Sequence, residues 1–433
     1  MRVFVKNMRG KPLMPCKPSK ARKLLKAGKA KIVGYKPFTI QLTIATGETV
    51  QDIDIGVDTG SSHIGICIRS VDKVVAKGEI TLRNNVKSLL DTRRILRRSR
   101  RNRKTRYRKA KFLNRKKLDG WLPPSIQSKI DNEFMWIDRF CSLVPNPKLH
   151  IEVGKFDVAK MMNPDIKGKE YQEGQTKGYY DVRYFVFARD NYTCQVCGKS
   201  EGKILQTHHI RYRSNGGTDC ADNLITVCKD CHVHENHQPG GILYKWQQQC
   251  KKARQYKEPV FMNIIRKIIL EKYPNAEISY GSETVIKRKN LGLEKTHYND
   301  AIAISGITKI KENENPHFII IQVRKKKRSL HETVPRRGRK NKNTCSERNR
   351  KNTPQCGNLR LNDSVIVVPD MEIGWVCGFC QGGYYAKDIY GNYITPKDKK
   401  YKQISIKHHI IVCNNNNWVM QIINNDNNKM RYI

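Results

Sequence analysis

Acidic residues are scarce in this chain of 433 residues, where 39 Asp and Glu stand against 83 Lys and Arg and the formal net charge is +44. So basic a chain repels itself unless a polyanion neutralises it, which makes nucleic acid the expected partner. Long apolar runs are also missing, and MRVFVKNMRG has no signal-peptide core, so we expect no membrane association. The 14 cysteines lack disulfide-framework spacing, which is typical of a reducing cytoplasm.

Four of the cysteines form two pairs with metal-site spacing. Cys194-x2-Cys197 lies in YTCQVCG, and Cys228-x2-Cys231 lies in NLITVCKDCH. Each pair presents two sulfur atoms from one tight turn, so the two pairs can close a tetrahedral site for a structural Zn²⁺ ion. A zinc ribbon with incidental histidines is the simpler interpretation.

The order of the nearby histidines argues against that simpler interpretation. His208-His209 lies between the cysteine pairs, Asn223 follows, and His232 comes directly after the last cysteine. This order resembles the HNH nucleases, which are ββα-metal endonucleases with a zinc-stabilised variant. The resemblance implies that His208 and His232 bind a catalytic divalent metal, and that His209 is the general base, oriented by Asn223. Two further histidines are interpreted as solvated or outer residues: His234 and His237.

The first fifty residues predict a small domain. A strand over 3–5, a helix over 19–27 and strands through 32–33 and over 38–44 follow from the pattern. Ser19 is the candidate N-cap and Gly28 the candidate C-cap. The PLMP segment at 12–15 predicts a proline-stiffened turn, and it resembles the signature of the N-terminal domain of IscB proteins.

Three alternating runs between residues 51 and 82 predict a strand, turn, strand, turn, strand unit. Asp58 ends the first run just before a turn. Asp52 and Asp54 share its face, so periodicity alone does not choose among the three. The GSSHIG that follows resembles the first motif of the RuvC branch of ribonuclease H-like nucleases, and this resemblance implies Asp58.

Two later segments resemble the second and third RuvC motifs. KLHIEV predicts a strand that carries Glu152. LEKTHYNDAIAISGI predicts a helix from about residue 297, on which His297 and Asp300 share a face. The resemblance implies that Asp58, Glu152 and Asp300 hold two divalent ions, Mg²⁺ or Mn²⁺, about 4 Å apart, and that His297 belongs to the same catalytic group.

The segment over residues 93–117 contains fifteen basic residues and no acidic one. No Gly or Pro breaks it, and apolar residues interrupt it, which favours a helix on a phosphate backbone over a solvated tail. In context it resembles the arginine-rich bridge helix of RNA-guided nucleases. The candidate RNA-binding residues are Arg93, Arg94, Arg97, Arg98, Arg100, Arg101, Arg103, Arg106 and Arg108.

After residue 308 the pattern changes to short strands, which predict a small β-barrel or SH3-like domain. Basic and aromatic residues there could contact a guide RNA or a short duplex beside the target. Cys377-x2-Cys380 could form a second zinc site with Cys345 and Cys356, but the spacing is irregular and leaves this open.

The whole set of motifs resembles IscB, a family of transposon-associated RNA-guided endonucleases related to the type II CRISPR effectors. The resemblance implies an α/β multi-domain fold: a ribonuclease H-like (RuvC) core split in three, an inserted zinc-containing ββα-metal HNH domain and a small, mostly β C-terminal domain. The expected parts are the PLMP domain (1–50), RuvC part I (51–83), bridge helix (84–118), RuvC part II (119–157), HNH domain with linkers (158–257), RuvC part III (258–308) and C-terminal guide-RNA and target-interaction domain (309–433).

The resemblance also implies a function, an RNA-guided DNA endonuclease. The HNH domain would cut the guide-paired strand with one metal ion, and the RuvC domain would cut the displaced strand with two. Expected partners are a structured guide RNA (omega RNA) and double-stranded DNA, in a monomeric ribonucleoprotein of the prokaryotic cytoplasm that joins the nucleoid when target-bound. Two alternatives stay open: a guide-independent HNH homing or restriction endonuclease, and a non-catalytic RNA-binding protein.

Overall fold

The computed structural model describes residues 1–102, 120–162, 166–167, 176–249, 256–313, 316–323, 355–368, 370–380, 382–396, 401–415 and 417–423. The chain divides into two compact units. The first comprises Met1–Gly154 with Ile265–Ile433, and the second is the segment between them, Lys155–Ile264. Across the described ranges, no helix combines the length and apolar character needed to cross a membrane.

The N-terminal segment forms a small sheet covered by one helix. Its elements are β1 (Val3–Lys6), β2 (Pro12–Cys16), α1 (Pro18–Lys26), β3 (Ala30–Tyr35) and β4 (Phe38–Leu42). The strand order is β2-β1-β4-β3, and α1 contributes Ala21 to a core that includes Val3, Val5 and Ile40. The predicted helix and strands are confirmed.

Two local predictions in this segment were wrong. The PLMP segment forms strand β2 instead of a turn, at the edge of the sheet, where a missing backbone N–H costs no ladder hydrogen bond. Helix α1 begins at Pro18 rather than after Ser19, with Lys17 as the N-cap and no side-chain cap. Proline is favoured in the first helical turn because the N–H it lacks has no partner there. Gly28, with φ of 70°, follows the helix as predicted.

The next segment builds the centre of a large sheet. It contains β5 (Ile53–Asp58), β6 (His63–Ser70), β7 (Lys73–Thr81), α2 (Val86–Asn102), α3 (Pro124–Cys141) and β8 (Pro147–Glu152). Strands β5, β6 and β7 are antiparallel neighbours, as predicted, and β8 lies parallel to β5 on its other side. Helix α3 buries one face, with Trp136, Ile137 and Phe140 inaccessible to solvent.

The second unit contains a short β-hairpin between helices. Its elements are α4 (Val158–Met162), α5 (Val182–Arg189), β9 (Leu205–His209), β10 (Leu224–Cys228) and α6 (Ile242–Gln249). Strands β9 and β10 are antiparallel, with His208 opposite Ile225. The N–H groups of Arg183 and Tyr184 donate to Oδ1 of Asp181, which caps α5.

The start and the end of the second unit are held together by one side chain. The N–H of Phe156 donates to Oδ1 of Asn263 at 2.9 Å, and Nδ2 of Asn263 donates back to the Phe156 carbonyl at 2.7 Å. The chain entering the unit is thereby bonded to the chain leaving it.

The chain then returns to the large sheet through α7 (Lys257–Lys272), β11 (Glu277–Ser279), α8 (Gly281–Asn290) and α9 (His297–Ile304). Strand β11 extends the parallel part beside β8. Helix α9 lies close against the sheet because two strand positions have no side chain. A Cβ on Gly56 would stand 2.0 Å from the Ala301 carbonyl oxygen, and one on Gly65 would stand 1.9 Å from that of His297. Helix α8 was not predicted, because its buried residues are the polar Thr284 and Arg288.

The last described segments complete the large sheet and form a smaller one. They are β12 (Glu312–Asn313), β13 (His317–Gln322), β14 (Gln355–Cys356), β15 (Leu359–Arg360), β16 (Ser364–Val367), β17 (Glu372–Cys380), β18 (Gly383–Lys387), β19 (Ile404–Ser405), β20 (His409–Cys413) and β21 (Trp418–Ile423). Strands β13 and β21 continue the large sheet, whose order is β11-β8-β5-β6-β7-β13-β21. The expected boundary at residue 309 therefore separates strands that share a sheet.

A five-stranded antiparallel sheet, in the order β19-β18-β17-β16-β20, has a core of its own that includes Val365, Val376 and Tyr384. The predicted short strands of the C-terminal region are confirmed. Of the cysteines proposed for a second zinc site, Cys345 lies outside the described residues. The other three, Cys356, Cys377 and Cys380, form no group of metal-ligand atoms within the described ranges.

Candidate active sites

The four cysteines of the predicted zinc site come together in the second unit. Their sulfur atoms all lie within 4.8 Å of one another, and the Sγ atoms of Cys197 and Cys228 are 3.9 Å apart. Burial raises the pKa of Cys194, but N–H groups directed at its sulfur outweigh burial and lower it to about 7. Burial and the neighbouring thiols raise the pKa of Cys231. Four crowded sulfur atoms fit a cation such as Zn²⁺.

Replacing Cys228 with serine should remove one equivalent of zinc per chain and unfold the second unit, because binding of a structural zinc ion also stabilises the fold. Zinc content by mass spectrometry and melting by circular dichroism check this. The matched control is Cys220→Ser, a cysteine of the same unit outside the cluster. Equal zinc content in the two variants would contradict the assignment.

Beside the zinc cluster, three imidazoles form a second group. Ligand nitrogen atoms of His208, His232 and His237 lie within 4.8 Å of one another, with Nδ1 of His208 3.2 Å from Nε2 of His232. The interpretation of His237 as an outer residue was therefore wrong. Sequence reasoning missed it because the turn that follows β10, which includes a short 3-10 helix over Glu235–His237, folds the chain back onto the strand.

The surroundings of this histidine group keep it in the metal-binding form. Nδ1 of His232 lies 2.7 Å from Oε1 of Gln206, and Nδ1 of His237 lies 2.7 Å from the Val233 carbonyl. Donation to these oxygens leaves both Nε2 atoms as acceptors, the usual arrangement around a metal. Burial and the neighbouring rings lower the pKa of His208 to about 3, and its Nε2 is buried without a hydrogen-bond partner. Three clustered imidazoles, one with an orphaned nitrogen, fit a divalent cation.

His209 lies next to this group and has a different partner from the one expected. Its Nε2 is 2.7 Å from Oδ1 of Asp219, and Nε of Arg213 is 3.2 Å from the same nitrogen. Asn223 was expected to orient His209. Its amide instead bonds the loop between β9 and β10: Oδ1 accepts from the Arg211 N–H, and Nδ2 donates to the Arg211 and Thr218 carbonyls. Asp219 is therefore a site residue that the sequence motif did not indicate.

In the large sheet, two of the three predicted carboxylates, Asp58 and Glu152, lie in a row across adjacent strands. Asp58 on β5 is opposite Glu152 on β8, and on its other side it is opposite Gly65 on β6, which in turn is opposite Glu79 on β7. Neighbouring strands are about 4.8 Å apart, so the register brings Asp58 and Glu152 together. Glu79 belongs to the same row and was not predicted.

Helix α9 supplies the other two predicted residues. Thr296 caps its N-terminus by accepting from the Asn299 N–H, and Nδ1 of His297 lies 2.7 Å from Oδ2 of Asp58. Asp300 lies 2.7 Å from Nε of Arg288 on α8. The two atoms form an ion pair, but the contact lacks the geometry of a hydrogen bond. Neither atom has a hydrogen-bond partner. On α8, the Thr284 hydroxyl donates to Glu152.

The contacts also distinguish the three candidate aspartates, Asp52, Asp54 and Asp58, from one another. Asp54 is paired with Arg69 at 3.1 Å and with His150 at 2.8 Å. Asp52 is paired with Lys148 at 2.9 Å and lies at the exposed start of the strand. Only Asp58, of the three, contacts a residue of the third predicted motif.

The electrostatics disfavour full ionisation of Asp58, Glu152 and Asp300, although Arg288 and His297 lie against them. Burial and the charge of Asp58 raise the pKa of Asp300. Burial, together with the charges of Asp58 and Asp300, raises the pKa of Glu152 to about 7 although Thr284 opposes the shift. Burial raises the pKa of Asp58 as well. Carboxyl groups that resist ionisation together fit divalent cations. Within the described residues, however, Asp58, Glu152 and Asp300 do not share one cluster of ligand atoms within 4.8 Å.

A further carboxyl group, Glu133 on α3, was missed by sequence reasoning. Its side chain is fully buried, and neither carboxyl oxygen has a hydrogen-bond partner. Burial raises its pKa well above the usual range, and the charge of Asp58 raises it further.

Replacing Glu133 with leucine should raise the free energy of unfolding at pH 7 by about 1–3 kcal/mol, because an unsatisfied buried polar group is removed. A raised folded-state pKa means that wild-type stability falls as pH rises above the unfolded value of about 4.3. The leucine variant lacks this carboxyl group, so its stability should fall less over the same pH range. Thermal melting in the presence of a chelator, between pH 5 and pH 8, measures this difference in stability. Glu133→Gln is the matched polar control. A variant less stable than the wild type throughout would contradict this.

The structure describes only part of the arginine-rich segment. Arg93 and Arg94 lie on α2 with exposed side chains. The next four candidates, Arg97, Arg98, Arg100 and Arg101, belong to α2 as well, but their side chains lie outside the description. The last three lie outside the described residues altogether: Arg103, Arg106 and Arg108. The helix begins at Val86, before the basic run.

Comparison with known families gives two matches. Residues 3–174 match the family described as RRXRR protein, and Arg97-Arg98-Ser99-Arg100-Arg101 has the form of that motif. Residues 194–238 match the HNH endonuclease family. A comparison with curated proteins finds no match. The two matches support an HNH-containing nuclease of the broad IscB/Cas9 type and suggest nucleic-acid binding.

Proposed function

We propose that this protein is an RNA-guided DNA endonuclease with two independent catalytic centres. The observation that carries the proposal is the pairing of an HNH endonuclease domain with a second set of acidic residues, Asp58, Glu152 and Asp300, in one strongly basic chain. The HNH domain occupies the second unit, and the acidic row belongs to the first. Two centres in separate units suit the cutting of two strands.

In the proposed HNH centre, His209 accepts a proton from the attacking water. Asp219 fixes the ring of His209 from Nε2, and the loop that carries Asp219 is held by Asn223. His208, His232 and His237 would hold the divalent cation, which supplies charge stabilisation for the scissile phosphate when bound. The short pairing of β9 with β10 positions His208 and His209 on one strand, so the metal group and the base are held by the same backbone.

In the proposed RuvC centre, the order β7-β6-β5-β8-β11, with β6 antiparallel, supports a ribonuclease H-like core. Asp58, Glu152 and Asp300 would hold the two divalent ions, which activate water and stabilise the leaving oxygen when bound. His297 is held by Asp58 at Nδ1, and its pKa is raised chiefly by that hydrogen bond. A protonated His297 can donate a proton at the row or attract the phosphate.

The guide RNA is supported by charge rather than by a described contact. The net charge of +44 favours binding to a polyanion, and exposed Arg93 and Arg94 begin the basic run on α2. In the proposed complex the protein holds the RNA–DNA duplex by its backbone, and base pairing selects the target. Guide binding should be steeply salt-dependent.

Purification of the protein from its native cells, followed by sequencing of bound nucleic acid, tests the proposal. One discrete structured RNA with a variable guide end is the expected result. Absence of bound RNA, combined with cutting of a fixed DNA sequence, would point to a homing or restriction endonuclease. Ribosomal RNA without DNA cleavage would point to a non-catalytic RNA-binding protein. Either of these outcomes overturns the proposal.

A further inference from the structure

The outer face of helix α5, in the second unit, carries a continuous row of aromatic rings. Tyr180 contacts Tyr184 with ring centroids 6.1 Å apart, Tyr184 contacts Phe187 at 6.2 Å, and Phe187 contacts Tyr192 at 6.5 Å. We call these four residues the aromatic strip. Tyr180 is 92% exposed, and Tyr184 and Tyr192 are 46% and 52% exposed. Contiguous exposed rings of this kind mark interaction sites.

The sequence of α5 explains why these rings face outward. Val182, Phe185 and Val186 pack in a core with the start of β10, so the helix already has its contact with the rest of the unit. Tyr184 and Phe187 are three residues apart and share the opposite face of the helix. A helix that buries one apolar face and exposes a second, aromatic face has a surface that its own fold does not use.

The helix is fixed to the hairpin that carries the HNH histidines. Nη1 of Arg189 donates to the Ala221 carbonyl at 2.9 Å, and Nη2 donates to the Leu224 carbonyl at 2.7 Å. The Thr226 hydroxyl donates to the Val186 carbonyl at 3.3 Å. An α-helix with its side chains is about 10–12 Å across, so a ligand on the aromatic strip lies about one helix diameter from β10.

The exposed side chains around the aromatic strip indicate the chemistry of its ligand. Between residues 176 and 192 the exposed residues are tyrosines, cations and small neutral residues, with no acidic or aliphatic side chain among them. The two partly exposed acids, Asp181 and Asp190, are paired with Arg183 and Arg189. Rings with cations beside them suit a polyanion that can also stack. In a chain of net charge +44, this favours nucleic acid over a protein partner.

The rings suit unpaired bases better than a duplex. Bases within a duplex stack on each other and present only their edges in the grooves, whereas every unpaired base has a free face on which an aromatic ring can stack. The proposed function supplies such a strand, because pairing of the guide with one DNA strand leaves the other strand single.

We propose that the aromatic strip is a stacking surface for unpaired bases of single-stranded DNA, which in the guided complex is the displaced strand. The inference rests on the proposed function for the source of this strand. The aromatic strip holds the strand by stacking alone and takes no part in the cleavage chemistry of either centre.

Probes with and without bases test this surface. The full chain carries His209→Ala and Asp58→Asn, so that the probes are not cut, and fluorescence anisotropy compares an oligothymidylate with an abasic DNA of the same length. The abasic probe keeps the phosphates and loses the stacking. On this background we expect a clear preference for the oligothymidylate. Tyr184→Ala should reduce that preference about tenfold, and Tyr184→Phe, which keeps the ring, should retain it.

Crosslinking locates the contact directly. Single-stranded DNA that contains 5-iodouracil reacts on irradiation with aromatic side chains that lie against the base, and mass spectrometry of the digested complex identifies them. We expect crosslinks at Tyr180 or Tyr184. Crosslinks to the aromatic strip from an iodouracil-containing RNA, but not from the DNA, would overturn the assignment to DNA.

The matched control is Tyr390→Ala, which removes a 68% exposed tyrosine of the C-terminal region and should leave the preference unchanged. Circular dichroism establishes that each variant is folded. Equal preference in folded Tyr184→Ala and Tyr390→Ala would overturn the proposal. So would self-association of the chain that Tyr184→Ala abolishes without any base preference, which would assign the aromatic strip to a second copy. These probes need no guide RNA, so the result is independent of whether RNA co-purifies with the chain.

Discussion

His209→Ala should convert the guided complex into a nickase that cuts the displaced strand only. His209 lies beside the histidine group, and its ring is held by the carboxylate of Asp219. Without it, no side chain at that place takes the proton from water, and removal of a general base costs about 10²–10⁴ in rate. Strand-specific end labels on a guided duplex measure the two cuts separately.

The matched control for this prediction is His234→Ala. His234 is a nearby histidine whose Nε2 is 3.0 Å from Nε2 of Gln238, and it lies outside the histidine group. Its removal should leave both cuts at the wild-type rate. Loss of both cuts in His209→Ala would contradict the assignment of one strand to each centre, provided that the variant still binds target.

Asp58→Asn should produce the opposite nickase, which cuts the guide-paired strand only. The substitution keeps the size of the side chain but removes the negative charge at the centre of the carboxylate row, so the cations of that row lose a shared ligand. We expect the displaced-strand cut to fall by a factor of at least 10³, since charge stabilisation by metal ions contributes several kcal/mol.

Asp52→Asn provides the control. Asp52 is an exposed residue paired with Lys148 and lies just before β5, so its substitution should retain both cuts. Equal impairment of the Asp52→Asn and Asp58→Asn variants would show that the substitutions disturb the strand rather than the carboxylate row. Unchanged displaced-strand cutting in Asp58→Asn would overturn the role of the row.

Sequence reasoning located the features whose signals are local. Alternation identified β5, β6 and β7, and the cysteine pairs identified the zinc cluster because each pair comes from a single turn. Helix α9 was identified because its apolar residues face one way. These elements need no knowledge of the rest of the chain.

The features that it missed depend on long-range register. Glu79 becomes part of the site only because β7 is aligned with β6 by the antiparallel register, and Glu133 only because α3 packs near Asp58. His237 reaches His208 through a turn without a periodic signal. Asp219 replaces Asn223 as the partner of His209 because the amide of Asn223 is used by the loop. No spacing rule in the sequence encodes these choices.

The amide of Asn263 bonds both the N–H and the carbonyl of Phe156. This contact bears on how such a chain can evolve. An insertion whose ends are already adjacent imposes little loop-closure entropy on its host, and insertions with close ends are well tolerated. The host sheet can therefore gain, lose or exchange the inserted segment with little cost to its own stability. A graft that cuts between Gly154 and Phe156, and again after Asn263, should transfer the nuclease module as a single cassette.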